Sequence, residues 1–213
     1  FLSLNGKTYG DAQKFVGLFN LGLPEPMELS LEGFYQSGIF VPVKLGPTGA
    51  KKRYALLAED GQLIVKGFEM VKRNTTKLVK EVQKGVLDII LTEGDAKKAI
   101  DYVKERIESL KSRQVPVKKL VITTELQKPL SEYEAIGPHV AIAKKLEEKG
   151  YEVGPGSMIR YVICGEGERI RDKARLPQEC TREDYDIDYY LNNQIIPSVE
   201  RIFEVLGYSG TQV

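Results

Sequence analysis

Between Thr48 and Asn74 the sequence reads TGAKKRYALLAEDGQLIVKGFEMVKRN, with Lys51, Lys52, Arg53 and Tyr54 opening one strand-like run and Lys72 and Arg73 near the end of the next. From Ile39 to Tyr54 there are four cations and no acid, and Lys77, Lys80 and Lys84 follow. Antiparallel pairing about the turn at Asp60-Gly61 brings the two cationic ends together. Such a patch neutralises phosphates, while a lysine or tyrosine side chain reaches a groove edge or a base face. The alternative is a solvated strand end whose cations blunt a sheet edge against wrong pairing. Residue types alone leave both open.

A second signal is Gly137-Pro138-His139 at the start of a helical pattern, with Lys144 and Lys145 one to two turns on. The free N–H groups of a helix's first turn suit a phosphate. The competing reading is an ordinary proline-initiated helix with a partly covered histidine. Glu32 follows an alternating apolar run, and its parity puts it with Glu28 on the polar face. The acids at 183–188 read as a helix N-terminus complementing the dipole. Other motifs fail: GPTGAKK resembles a phosphate loop but has neither the spacing nor the hydroxyl residue that one needs, and GEGERI is half of a dinucleotide fingerprint. His139 is the only histidine, which excludes a histidine-rich metal site.

These side chains need elements to hold them. MELSLEGFY alternates Met27, Leu29 and Leu31 against Glu28, Ser30 and Glu32, the period of a half-buried strand. GIFVPVKL, KRYALLA and QLIVKGFEMV are further strands, the first two separated by the loop GPTGA, and YGDAQKFVGLFNLGLPEP holds a short helix stopped by Gly22 and Pro24. After Asn74, read as an N-cap, the period lengthens: Leu78, Val82 and Val86 share one helical face ending at Gly94. Asp95 opens a second helix bearing Ala99, Val103, Ile107 and Leu110. A strand at KLVITTEL, a helix from Pro138 to Gly150, a strand at SMIRYVIC and a long helix from Asp186, kinked at Pro197, complete the pattern. The fold class is α+β: a small antiparallel sheet to about residue 72, then a helix-rich part from 73 to 213.

The chain has 213 residues with 31 basic and 30 acidic side chains, a net charge of +1, so any polyanion must be held by local clusters rather than by overall charge. Cys164 and Cys180 could form one bridge but are too few for a disulfide framework, and they are expected as buried or idle thiols of a cytoplasmic protein. No apolar run is long enough to span a membrane, and no basic-then-apolar leader is present. No convergent set of titratable groups points to a small-molecule enzyme.

Five blocks, LPEPMELSLEGFY, KKRYALL, KGFEMVKRN, GPHVAIAKKL and DYYLNNQIIPSVERI, resemble in order the last palm strands and the thumb of archaeal family B DNA polymerases. The resemblance covers nearly the whole chain. It implies that residues 1–72 are the C-terminal part of the palm and 73–213 the thumb. Glu32 matches the family's auxiliary palm carboxylate, near the metal site but not an essential ligand. Lys51, Lys52 and Tyr54, with Arg53 between them, match the K-K-x-Y element that contacts the primer–template minor groove and backbone close to the primer terminus. Lys72 and Arg73 match a basic pair that usually reads R-R-D; Asn74 replaces the acid. Gly137, Pro138, His139 and Val140 match the thumb element that touches duplex phosphates.

The family's two metal-binding aspartates lie in segments this sequence lacks, and YGDAQ at Tyr9–Gln13 is a decoy without the second acid. FLSL at residue 1 looks like the strand leaving the second of those segments. The resemblance therefore implies either the small subunit of a polymerase split after the second of those segments or a C-terminal fragment of an unsplit one, and the split subunit is favoured. A larger partner would carry the exonuclease, the fingers and the catalytic palm with its magnesium ions. It also implies a polymerase inactive without that partner, an apolar interface through residues 1–40, primer–template DNA as ligand and, through a longer tail, a sliding clamp. The rival reading is a stand-alone duplex-binding module.

Overall fold

The computed structural model describes residues 3–42 and 49–208, with side chains in the second segment from Lys52 onward. Residues 1–2, the loop at 43–48, the side chain of Lys51 and the tail at 209–213 lie outside that description, and with them the FLSL strand start and the clamp-binding tail.

The first helix, α1 (Tyr9–Asn20), is opened by a capping box: the Asp11 carboxylate accepts from the Thr8 N–H at 2.9 Å and from its hydroxyl at 2.8 Å. The Thr8 backbone and hydroxyl donors hold the Asp11 carboxyl below its ordinary range. Asp11 in YGDAQ is thus a capping residue. No residue of α1 is buried, and Leu18 and Leu21 are 72% and 84% exposed.

The MELSLEGFY strand does not form. Residues 27–34 belong to no strand or helix, with Met27, Leu29 and Leu31 exposed. Alternation supplies one apolar face, yet among the described residues no neighbouring strand satisfies its backbone or covers that face. The Asn20 amide substitutes locally, donating to the Leu29 carbonyl and accepting from its N–H, both at 2.9 Å.

Three antiparallel strands follow in the order β1 (Tyr35–Pro42), β2 (Gly49–Ala58) and β3 (Leu63–Lys66). Their inner face, Ile39, Val41, Ala55 and Leu57, is buried against α2 (Lys77–Glu93), and the Ser37 hydroxyl donates to Leu91 O of that helix at 2.6 Å. The N-cap of α2 is Thr76, whose hydroxyl accepts from the Val79 N–H, and not Asn74. The cap falls where the apolar stripe begins, and Asn74 stays in the preceding turn. Gly94 ends the helix in the left-handed conformation, and Asp95 caps α3 (Ala96–Lys111).

A second antiparallel sheet has the order β4 (Ile122–Glu125), β5 (Met158–Ile163), β6 (Ala174–Arg175), with α4 (Pro138–Glu148) packed on it through Val140, Ile142 and Ala143. The last helical stretch runs as α5 (Ile187–Tyr190), a π-helical turn (Leu191–Ile195) and α6 (Ile196–Val205). The kink expected at Pro197 takes this π form, because proline offers no N–H to the carbonyl four residues back. The buried Tyr190 hydroxyl accepts from Ile163 N and donates to Leu120 O, tying this helix to the sheet. Burial pushes its phenol pKa far upward.

One apolar cluster runs from the first sheet through α2, α3 and α6 to the second sheet, giving a mixed α+β fold. Cys164 and Cys180 are buried as expected but are not free thiols: they form a disulfide, with Cα atoms 6.5 Å apart. The turn after β6 returns residue 180 to the end of β5, a proximity that the 16-residue separation did not reveal. No helix among the described residues is long and apolar enough to cross a membrane.

Candidate nucleic-acid interface

The cationic edge of the first sheet is a bulge. Phe40 pairs with Tyr54 and Pro42 with Gly49, so residues 50–53 stand against Val41 alone. An excess of residues in one strand bends it and re-aims its side chains. Lys52 takes the left-handed region at φ 61°, uncommon for a residue with a side chain, and it is exposed. Opposite it, Gly67 has φ 72°, and a Cβ there would collide with the Lys52 carbonyl oxygen. Tyr54 is half-buried, its ring 5.9 Å from that of Phe40.

Lys72 and Arg73 do not end a strand. β3 stops at Lys66, since Gly67 turns the chain into a short 3₁₀ turn (Glu69–Val71), and the two cations follow it exposed. The two ends of the hairpin nevertheless meet at Glu69. Its carboxylate receives Arg53 at 3.2 and 3.3 Å and Lys72 at 3.4 Å. Gln83 donates to it at 2.9 Å. Burial alone would raise the Glu69 pKa, but the Gln83 donor and the Arg53 and Lys72 charges outweigh it and leave the group lowered.

Arg73 and Asn74 border an open cleft of about 410 Å³ with Thr123 and Thr124 of β4, Lys128, Tyr133 and His139. Gly137 is the N-cap of α4 without a side-chain partner, and Pro138 occupies the first turn. His139 is half-buried with its ring edge-on to Tyr133 at 5.9 Å, and desolvation lowers its pKa, favouring the neutral ring. The cleft therefore unites Arg73 with His139, two sequence candidates 66 positions apart. It also brings in Lys128, whose ammonium lies 5.1 Å from the Tyr133 ring centre, and the two threonines. These carried no sequence signal beyond a proline turn beside a tyrosine.

Lys144 lies about 140° round the helix from His139 and lines a different groove, with Leu130 and Glu147. Glu32 is exposed in the unpaired segment. Among the described residues no three His, Cys, Asp or Glu side chains converge. The acids at 183–188 are engaged as turn and cap residues: Asp184 accepts from Thr181, and Asp186 caps α5 and pairs with Lys173 at 2.7 Å.

Residues 10–206 match the model of DNA polymerase family B. The chain is 44% identical over 199 residues to a DNA polymerase of Thermococcus aggregans, covering 92% of this chain and 10% of that protein. It is 42% identical to one of Pyrococcus glycovorans, covering 25% of that protein. The solved family B DNA polymerase of Pyrobaculum calidifontis superposes with a TM-score of 0.72 at 32% identity, over 95% of this chain and 26% of that one. The chain thus spans about a tenth to a quarter of the length of these relatives. It belongs to DNA polymerase family B.

Proposed function

We propose that this chain is the palm edge and thumb of a family B DNA polymerase, acting as the subunit that holds the primer–template duplex while a larger companion performs nucleotidyl transfer. In this reading residues 1–72 complete the companion's palm and 73–213 form the thumb. The observation that carries it is the cation-bordered surface running from the bulged Lys52–Tyr54 edge past Lys72 to the cleft lined by Arg73, Lys128 and His139. Lys52 and Tyr54 offer donors to minor-groove acceptors, which every base pair presents, so they sense pairing shape without reading sequence. Lys72, Arg73 and the α4 N-terminus meet phosphates, and Lys144 makes a separate outer contact. Glu32, on the segment that faces the companion, is an auxiliary carboxylate near the reacting centre. The companion's aspartates hold magnesium in the two-metal manner.

The exposed apolar side chains of α1 and of residues 27–31 support a companion seated on that face. Burying an exposed side chain of this size fully is worth up to about 1.5–3 kcal/mol before the cost of association is subtracted.

A primer–template with a photoreactive group within a few base pairs of the primer terminus tests the contact assignment. In the assembled polymerase, crosslinks are expected on the peptides holding Lys52–Tyr54 and Arg73. Crosslinks confined to other faces of the chain would contradict it.

A further inference from the structure

The cationic hairpin contains one side chain whose surroundings differ from those of its neighbours. Arg53 sits between Lys52 and Tyr54 in sequence, yet its side chain turns inward and is only 16% exposed. Its guanidinium lies over the buried Phe68 ring at 5.3 Å, and its Nε is buried without a hydrogen-bond partner. The partner it does have, Glu69, is saturated. One carboxylate oxygen takes Arg53 and Lys72, the other takes Arg53 and Gln83, filling the roughly four acceptor sites a carboxylate offers.

Gln83 extends the chain of contacts. It is fully buried in α2, its amide nitrogen donates onward to Ser198 O of α6 at 2.6 Å, and its amide oxygen accepts from Met70 N at 2.8 Å. β2, the turn carrying Lys72, α2 and α6 are thereby fastened to one another through three polar side chains. Such networks add little net stability over an apolar core of the same volume. Their geometry is specific, because the contacts between Arg53, Glu69 and Gln83 can all be made only in one arrangement.

We propose that Arg53 is a positioning residue rather than a DNA ligand: with Glu69 and Gln83 it locks the Lys52–Tyr54 edge onto the base formed by α2 and α6, so that this edge and Lys72 meet the duplex as one surface. The inference rests on the duplex-holding reading above and assigns the three residues a role within it.

The test is the salt dependence of binding between this chain and a fluorescent primer–template duplex. Arg53→Gln is expected to weaken binding about 3- to 10-fold at every salt concentration while the slope of log K against log salt stays that of the unsubstituted chain. Lys52→Ala, by contrast, lowers the slope by about 0.9, one released counterion. Adding Glu69→Gln to Arg53→Gln brings no further loss, since the two act together. Should Arg53→Gln fold poorly, Glu69→Gln made in a Lys72→Ala background, which removes the other cation paired with Glu69, decides by sign. A locked Arg53 predicts weaker binding at unchanged slope, whereas an Arg53 reaching phosphate would bind more tightly once freed of its acid. A slope reduced by about 0.9 in Arg53→Gln, or tighter binding by Glu69→Gln in the Lys72→Ala background, overturns the proposal. No binding by the unsubstituted chain would overturn the duplex-holding reading itself, and the positioning role with it.

Discussion

Lys52 and Gly67 set the residue-scale argument, because the exposed lysine is aimed by a left-handed backbone that only a glycine opposite it permits. Gly67→Ala is expected to cost about 2 kcal/mol or more, combining an unfavourable φ with a collision against Lys52 O. Gly61→Ala, at a similar φ in open space, should cost only about 1 kcal/mol. Urea melts of the two variants measure the difference, and equal losses would mean that the close approach adds nothing. Lys52→Ala and Tyr54→Ala should lower nucleotide incorporation by the assembled polymerase with melting of the chain little changed. A large stability loss with unchanged extension would make them structural instead. The cationic cluster of the KKRY stretch was legible from its residue types, but the inward turn of Arg53 was not. Its acid stands 16 positions away, across a turn that the strand pattern of QLIVKGFEMV concealed.

At the scale of elements, pattern reading succeeded where an element satisfies itself and failed where it depends on something distant. The stripes of α2 and α3 were read correctly because every residue of the stripe finds cover in this chain. MELSLEGFY has equally regular alternation and forms no strand, since among the described residues it has no ladder partner. The Cys164–Cys180 bridge and the two-residue β6 depend on chain return, which periodicity does not encode. That bridge closes a loop of about 17 residues, so reducing it should remove about 3 kcal/mol of stability, read from urea melts with and without reductant. The network at Glu69 predicts a pH response. Its carboxyl is lowered from the ordinary 4.5, so its contribution is fully present above that pH and is lost as pH falls through the depressed folded value. Melting temperature between pH 3 and 6 should therefore fall more steeply for the native chain than for Glu69→Gln.

For the whole molecule, a continuous core drawn from residue 39 onward contrasts with α1, no residue of which is buried. Phe15→Ser and Leu18→Asp should leave the isolated chain's melting unchanged, because neither side chain is buried in it, while weakening association with the companion. Light scattering or co-purification reads the association, and undiminished association would remove α1 from the joint. The family and the α+β class were legible from five sequence blocks in order. The cleft joining Arg73, Lys128, Tyr133 and His139 was not, because three separated elements build it. The central claim, that this chain grips the duplex for catalysis housed elsewhere, is tested most directly by primer extension with purified companion and purified chain, each alone and combined. The account predicts efficient extension only by the combination; extension by this chain unaided, or by the companion equally well without it, would contradict it.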